Sequence, residues 1–380
     1  MNIVAASRHG GAINAIVPPI VKLRADGSKV VIISHGEASR KTLTGHGLSY
    51  KTIGDYGLTD VSVDSMTQLL SSENPRPDLV LVGTVHHGGG GKAVEGDSID
   101  QTLTLAAKYL KIKTLVVLDS YTDCAKRFSN PDTGEVFKFL PDKIAVPDNA
   151  TLNHMKGKGF NPDWLEVTGN PCFDNLVLKE RGFGHKQRKA LRAQIGFPDV
   201  DFLIFFAANV FQEVSPVMGY WDLDIIKIMA LVQSSLSSMN IGVIIGLHPT
   251  RTPEKDQKLI SNFIRQNSQM KLKGGEIDSR ELILATDITT TSYSTIGIEA
   301  VHMGKSCLSL QPGLRVKDLF LPSVLGIVPP GKTPKDCFNW LMRMIRQPDC
   351  REGWIRKAAD FRTSGKATER VIKLIQEMVS

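Results

Sequence analysis

Residues 285–310, ATDITTTSYSTIGIEAVHMGKSCLSL, decide the fold. The segment 287–291 is short and rich in β-branched side chains, which is typical of a buried parallel strand. A turn rich in hydroxyl groups follows it, and Ser292 or Ser294 is suited to cap the helix that comes next. Gly304 ends this helix, and a second apolar strand follows. The stretch therefore predicts a strand–helix–strand unit of a doubly wound α/β domain.

The start of this helix has the chemistry of a phosphate site. The first amides of a helix lack partners within it and its dipole favours an anion, so phosphate binds readily there. Glu299, one turn further along, is suited to accept hydrogen bonds from a ribose diol. A plainer interpretation fits the same residues: Ser292 and Ser294 only cap the helix, and Glu299 is a solvated side chain. The position of the stretch within the whole chain favours the first interpretation.

The composition is that of a two-domain globular protein. A chain of 380 residues exceeds one ordinary core, and 42% hydrophobic with 22% charged residues is usual for such proteins. No apolar run is long enough to cross a bilayer, and residues 1–7 lack the pattern of a signal peptide, so we expect a cytoplasmic protein. The five cysteines are scattered and form no CxxC pair, which predicts reduced thiols and neither a zinc site nor disulfides.

The net charge of +7 limits the classes of partner. It suits phosphorylated substrates and acidic membrane surfaces, so peripheral membrane contact stays open. The basic residues are too evenly spread to form a nucleic-acid patch, which predicts no nucleic-acid partner. Homo-oligomer formation is also left open by the sequence.

The first half begins as a doubly wound domain does. Residues 2–7 are a buried-type strand, followed at once by His9, Gly10 and Gly11 and then by a helical segment. The two glycines allow a ligand or a second domain to approach the backbone closely. The GxGxxG fingerprint is incomplete, which argues against a dinucleotide, and no cofactor is predicted.

Two later strands of this half carry polar residues at their ends. Residues 77–84 form a strong strand, and the loop after it, 85–92, holds four glycines, a lysine and two histidines, one of them His87. This loop is either a mobile surface loop or a ligand-binding one. Asp119 follows the strand at 113–118, at the sheet edge where such folds carry their sites.

The second half repeats the alternation of strands and helices. Strands are predicted at 202–208 and 241–247, and the latter ends in His248-Pro249-Thr250-Arg251. We therefore predict two Rossmann-like doubly wound domains, residues 1–181 and 201–380, joined by a linker at 182–200. Because clefts between domains are where ligands bind, we expect the site in the cleft between them.

Four pieces of the sequence together resemble a known family. They are the strand and Gly-rich loop that begin at Asp78, the turn Val167-Thr168-Gly169-Asn170-Pro171, the segment Leu247-His248-Pro249, and residues 290–305. The layout resembles the GT-B glycosyltransferases and their relatives: the non-hydrolysing UDP-N-acetylglucosamine 2-epimerases, the lipid A disaccharide synthase type and the CDP-glycerol glycerophosphotransferases. The resemblance covers almost the whole chain in architecture and implies the GT-B arrangement.

The resemblance further implies that the second domain binds a nucleotide diphosphate. Glu299 would hold the ribose, and His248, with Arg251 near it, would face the phosphates or the donor sugar. Alternatively, His248 only bonds to the turn at Pro249. The first domain would hold the acceptor, with Gly10, Gly11 and the loop at 85–92 facing it. The residues that would hold the pyrophosphate are Thr291, Ser292, Tyr293 and Ser294.

We therefore predict a metal-independent glycosyltransferase that moves a sugar from a nucleotide diphosphate donor, UDP-linked, to a hydroxyl acceptor. The acceptor is either soluble or carried on a lipid or polymer. His9, Asp119 and His87, in falling order of preference, are the candidate bases, and each also has a purely structural role open to it. No Asp-x-Asp motif stands at a strand end in the second half, so no metal is expected.

Two departures from the resemblance argue against epimerisation. The 2-epimerases carry Val-Glu-Ala-Gly-Leu-Arg where this chain has Asp119-Ser120-Tyr121-Thr122-Asp123. They also carry a His-Arg pair followed by Glu-Asn where this chain has Ala207-Ala208-Asn209-Val210. Three alternatives stay open: a sugar-nucleotide 2-epimerase or hydrolase, a CDP-polyol phosphotransferase, and a non-catalytic nucleotide-sugar-binding protein.

Overall fold

A computed structural model describes residues 1–84, 98–119, 123–130, 133–248, 252–274 and 277–380 of the chain. The chain divides into two compact units. Unit 1 consists of Met1–Asn175 together with Thr363–Ser380, and unit 2 is Leu176–Arg362. The chain therefore leaves unit 1 once and returns to it for its last eighteen residues.

The described residues contain twelve strands, and every strand pairing between them is parallel. In unit 1 the sheet has the order β2-β1-β3-β4-β5-β6, and in unit 2 the order β12-β11-β10-β7-β8-β9. The strands are β1 (Asn2–Ser7), β2 (Lys29–Ser34), β3 (Leu79–Val82), β4 (Lys113–Val117), β5 (Lys143–Val146), β6 (Leu165–Val167), β7 (Phe202–Ala207), β8 (Ile241–Gly246), β9 (Met270–Leu272), β10 (Ile288–Thr291), β11 (Cys307–Leu310) and β12 (Pro330–Gly331).

Helices follow most of these strands, as a doubly wound fold requires. Single turns of 3₁₀-helix occur at Ile53–Tyr56, Pro162–Trp164, Pro171–Phe173, Gln212–Val214 and Ala359–Phe361. The α-helices are α1 (Gly10–Ala25), α2 (Glu37–Gly45), α3 (Val63–Ser72), α4 (Ile99–Tyr109), α5 (Cys124–Arg127), α6 (Asn149–Lys156), α7 (Asp174–Gly182), α8 (His185–Gln194), α9 (Ser215–Met218), α10 (Asp222–Ser235), α11 (Glu254–Ile264), α12 (Ser279–Ala285), α13 (Thr295–His302), α14 (Leu321–Val324), α15 (Pro334–Arg346), α16 (Pro348–Lys357) and α17 (Ala367–Val379).

The predicted fold class, two Rossmann-like α/β units, is confirmed. The central strands are apolar runs buried along their whole length, such as FLIFFA in β7 and LVLV in β3, because helices cover both faces of each sheet. The two windings are alike. In unit 1 the chain adds β2 on one side of β1 and then crosses to β3 on the other; in unit 2 it adds β8 and β9 beside β7 and then crosses to β10. Next to β2, an isolated parallel bridge joins Ile33 to Lys51.

The last helix, α17, belongs to unit 1, whereas the predicted boundaries place it in the second domain. Its apolar face, including Val371 and Ile375, is buried in the core around β1. The carboxylate of Asp174 accepts the amides of Ala367 (3.0 Å) and Thr368 (2.7 Å), the first two residues of the helix. The observed unit 2, Leu176–Arg362, therefore ends earlier than the predicted second domain, 201–380. It also begins earlier, since it includes residues 176–200.

The turn after β6 explains how closely α17 approaches. Gly169 has φ +87°, and a Cβ at this position would lie 2.9 Å from the Cβ of Ala367. Arg370, one turn into α17, donates from Nε to the carbonyl of Thr168 (2.6 Å). The turn 167–171, one of the four pieces of the resemblance, therefore docks the C-terminal helix.

Two further properties bear on the class of protein. None of the five cysteines is in a disulfide, and three of them are buried. In the ranges that the structure describes, no helix combines the length and the apolar character needed to cross a membrane.

Candidate functional site

The winding of each sheet defines where a ligand is expected. Open parallel sheets bind ligands beyond the carboxyl ends of their strands, where the strand order reverses. In unit 1 this reversal lies between β1 and β3, and in unit 2 between β7 and β10. The predicted residues follow these strands: His9, Gly10 and Gly11 come after β1, and residues 292–294 come after β10. They form two groups, one in each unit.

In unit 2, the turn after β10 is held by its own hydroxyl groups. Thr291 Oγ1 donates to the carbonyl of Ala207 in β7 (2.9 Å) and accepts the amide of Ser294 (3.1 Å). Ser294 is the N-cap of α13, and its Oγ accepts the amide of Ile296 (3.3 Å). These hydrogen bonds hold the turn so that the amino end of an eight-residue helix lies at the carboxyl edge of the sheet.

Ser292 and Tyr293 have different environments from Ser294. Ser292 is fully buried, and its hydroxyl donates to the carbonyl of Leu310 (3.1 Å) while its own carbonyl accepts from Ser309 Oγ (3.1 Å). The Ser292 hydroxyl is thus used inside the sheet. Tyr293 is partly buried against the core of unit 2.

Glu299, the predicted ribose residue, is held by an arginine that sequence reasoning did not connect with it. Arg280, near the start of α12, donates from Nε and Nη2 to the two oxygens of Glu299 (3.0 and 2.9 Å). The carboxylate is 10% exposed. A bidentate arginine uses only one acceptor position on each oxygen, so the carboxylate keeps lone pairs for a hydroxyl group.

His248 follows β8, at the same edge as Ser294. Its ring meets the ring of Phe211 edge-on, with 6.5 Å between centroids. Its carbonyl accepts a hydrogen bond from Thr252 Oγ1 (2.9 Å). Arg251, the predicted neighbour, lies outside the described residues.

Two buried aspartates of unit 2 were missed by sequence reasoning. Asp222 accepts the amides of Asn209 (3.2 Å) and Val210 (3.0 Å), and Asp256 accepts the amide of Gln212 (2.8 Å). Burial, with a smaller contribution from the charge of Asp256, raises the pKa of Asp222 to about 8 against the opposing effect of the two amides. The pair fixes the loop after β7, which borders the reversal point. Their signal in the sequence is only that each carboxylate occurs in the first turn of a helix.

In unit 1, Asp119 is part of a compact polar cluster. Its Oδ1 accepts Thr84 Oγ1 (2.6 Å) and Arg127 Nη1 (3.0 Å), and Arg127 Nη1 also donates to Thr84 (2.6 Å). Arg127 is buried, whereas the Asp119 side chain is 18% exposed. A Cβ at Gly11 would lie 3.0 Å from Asp119 Oδ2, so this oxygen borders the amino end of α1. His9 is the N-cap residue of that helix. The structure therefore brings His9, Gly10, Gly11 and Asp119 to one edge.

Asp100 is a further acid at this edge that the sequence did not reveal. It is buried in the first turn of α4, and burial raises its pKa to about 7. The charge of Asp119 acts in the same direction, while the Ser7 hydroxyl and the Arg8 amide favour its ionised form. A carboxyl group that titrates near neutrality beside Asp119 is suited to store or pass a proton.

One part of the predicted site, His87 and the loop at 85–92, lies outside the described residues. Among the residues that are described, no group of three or more His, Cys, Asp or Glu side chains has an arrangement that could hold a metal ion.

The chain is similar to known proteins in its three-dimensional structure. No protein-family model matches the sequence, and no curated protein sequence matches it. The UDP-GlcNAc 2-epimerase of Neisseria meningitidis, solved with UDP-GlcNAc, is similar over 99% of this chain and 100% of its own (TM-score 0.71, 15% identity). A glycosyltransferase of Rickettsia africae is similar over 100% and 98% (0.65, 14%), and Anabaena HepE, solved with UDP and glucose, over 100% and 99% (0.62, 13%). The chain thus has the fold of these epimerases and GT-B-type glycosyltransferases, as its sequence resemblance predicted.

Proposed function

We propose that this protein is a glycosyltransferase that moves a sugar from a UDP-linked donor to a hydroxyl acceptor without a metal ion. The observation that supports it most is the turn after β10, where Thr291 and Ser294 direct the amino end of α13 to the reversal point of the sheet. Similar folds that were solved with UDP or UDP-GlcNAc add support.

In this proposal unit 2 binds the donor. The diphosphate lies on the first amides of α13 and on the Ser294 hydroxyl, where the helix dipole favours its negative charge. Glu299, held by Arg280, accepts the ribose hydroxyl groups. His248 donates to the β-phosphate as charge develops on it. The Ser292 hydroxyl has no part in this, because it is used within the sheet.

Unit 1 supplies the acceptor residues and the base. The acceptor oxygen attacks the anomeric carbon, the bond between that carbon and the β-phosphate oxygen breaks, and UDP leaves with the electron pair. The acceptor proton passes to a base. His9, Asp119 and His87 are the candidates, and we now prefer Asp119, because its Oδ2 borders Gly11 at the sheet edge.

Epimerisation is the second candidate, because several of the similar structures are 2-epimerases. An epimerase of this kind needs acid and base groups near the sugar, and the cluster of Asp119 and Asp100 provides carboxyl groups. The departures at 119–123 and 207–210 argue against it, so we rank it below transfer. The CDP-polyol phosphotransferase and the non-catalytic binder remain as alternatives.

The experiment has two stages. Thermal unfolding is first followed with UDP, CDP, GDP, ADP and dTDP; we expect UDP to stabilise the protein most. UDP-GlcNAc and UDP-glucose are then incubated with the protein, with and without a panel of hydroxyl acceptors. UDP release that depends on an acceptor supports a transferase. A new epimer, acceptor-independent UDP release, or binding without turnover identifies the epimerase, the hydrolase or the binder instead.

A further inference from the structure

A cavity lies in unit 2, at the edge of the sheet opposite to Ser294 and His248. Its walls include Thr286 and Asp287, just before β10, and Lys305 and Ser306, just before β11. Because the strands are parallel, these residues mark the amino edge of the sheet. The cavity measures about 420 Å³, which is within the range of small-molecule sites.

Two arginines at this cavity share a single carboxylate. Arg188 Nη2 and Arg192 Nη2 donate to the two oxygens of Asp287 (2.6 and 2.7 Å), and Oδ2 also accepts the amide of Leu203 (2.7 Å). Two guanidinium groups on one carboxylate leave a net positive charge. Arg188 itself lines the cavity. The other acidic group of the described wall, Glu352, already pairs with Arg356 (3.6 Å).

Lys305 is the cation of the cavity that lacks a partner. Its ammonium makes no hydrogen bond or ion pair with any residue that the structure describes. Burial lowers its pKa, and the charges of Arg188 and Arg362 lower it further, while Glu180 opposes them. A partly desolvated ammonium that is not directly paired with a carboxylate is unfavourable, and an anion in the cavity would relieve this cost.

The rest of the wall combines a positive potential with apolar surface. Helix α8 begins at this wall, with Gly184 as its N-cap and His185 as its first residue, so its dipole adds positive potential. Phe183 and Ile355 contribute apolar surface.

We propose that this cavity binds a small phosphorylated molecule, with Lys305, Arg188 and the amino end of α8 on the phosphate and Phe183 and Ile355 on its organic part. The site is separate from the nucleotide site, since the two lie at opposite edges of one sheet. The inference therefore does not depend on the proposed function.

The test uses the full-length protein and pyrophosphate as the probe, in calorimetric titrations with and without saturating UDP. We expect one pyrophosphate site to persist in UDP. Lys305→Gln should weaken this site about tenfold or more, because a charged hydrogen-bond partner is lost, and Lys305→Arg should restore most of the affinity. The matched control is Lys258→Gln, which removes an exposed lysine of unit 2 that pairs with Glu254 (2.8 Å) and should change nothing.

Each outcome decides the proposal. If Lys305→Gln binds pyrophosphate as the wild type does, or if UDP displaces all bound pyrophosphate, the cavity is not an anion site. If UDP fails to bind at all, the proposed function fails, yet the comparison of Lys305→Gln with Lys258→Gln still tests this site. Thermal unfolding of Lys305→Gln without pyrophosphate shows whether the variant is folded.

Discussion

The two carboxylate oxygens of Glu299 each accept a hydrogen bond from one guanidinium group, that of Arg280. The contact joins the start of α12 to the middle of α13, the helix whose amino end we propose as the phosphate site. It fixes the orientation of the carboxylate and leaves lone pairs on both oxygens. The geometry fits a ribose-binding carboxylate that is held in place before the ligand arrives.

Substitutions of Glu299 and of Arg280 distinguish a role of the carboxylate in ribose binding from its structural contact with Arg280. We expect Glu299→Gln to weaken UDP binding about tenfold or more, because a charged acceptor of ribose hydroxyl groups is lost. Arg280→Gln removes the same ion pair but keeps the carboxylate, and should weaken binding less than about threefold by the same reasoning. Isothermal titration with UDP measures both. Equal losses in the two variants would mean that Glu299 serves only to position α13.

The sequence could predict Glu299 but not Arg280. The position of Glu299 one turn into a helix follows from the local pattern of residues 287–304. Its partner lies nineteen residues earlier in another helix, and such a pairing depends on how α12 and α13 pack. The same limit applies to Ser292, since its hydroxyl is directed to a carbonyl in the next strand, β11.

Asp119 offers a test of the base. We expect Asp119→Asn to lower kcat at least about a hundredfold, in the range for a general base, with UDP affinity unchanged. The change should also lower the free energy of unfolding by about 3 kcal/mol, at the low end for a broken buried ion pair, because Asp119 is partly exposed and asparagine still offers an oxygen to Arg127. Acceptor-dependent UDP release and urea denaturation measure the two effects.

Thr84→Val is the matched control for Asp119. It removes the hydroxyl that donates to Asp119 Oδ1 and keeps both charges. We expect kcat to stay within about tenfold of the wild type, since the carboxylate and Arg127 remain. If Asp119→Asn keeps full activity, Asp119 is not the base, and His9 or His87 takes that role in the proposal.

The C-terminal helix could be predicted from the sequence, but the unit to which it belongs could not. The sequence predicts a helix at 367–378, and the structure has α17 at Ala367–Val379. A local pattern can identify such a helix but not the sheet against which it packs. Contiguity in sequence favours the second domain, whereas the actual contacts are with Asp174, Thr168 and the core around β1. Strands such as β1, β3, β7 and β8 were predictable because both of their faces are buried.

Ile375 tests the assignment of α17 to unit 1. It is fully buried, and we expect Ile375→Ala to lower the free energy of unfolding by about 2–4 kcal/mol, as for other large-to-small core substitutions. Hydrogen exchange should accelerate in β1, β2 and β4 and stay unchanged in β7 and β8. Lys373→Ala, at an exposed position of the same helix, should change neither. Faster exchange in unit 2 alone would contradict the assignment.

Asp222 predicts a pH dependence of stability. Burial raises its folded-state pKa to about 8, whereas the unfolded value is near 4. Below pH 4 both states are protonated. Between pH 4 and 8 only the folded state keeps the proton, so this group's contribution to stability declines as the pH rises, and the decline ends above the folded pKa.

Asp222→Asn removes this titration. At pH 4–5 we expect the variant to be less stable than the wild type by about 1 kcal/mol, because asparagine provides one oxygen for the two amides of Asn209 and Val210. The difference should then shift in favour of the variant by up to about 1.4 kcal/mol per pH unit towards pH 8. Urea denaturation at pH 4.5, 6, 7 and 8 measures it. If Asp222→Asn instead runs parallel to the wild type from pH 4.5 to 8, Asp222 is ionised in the folded protein.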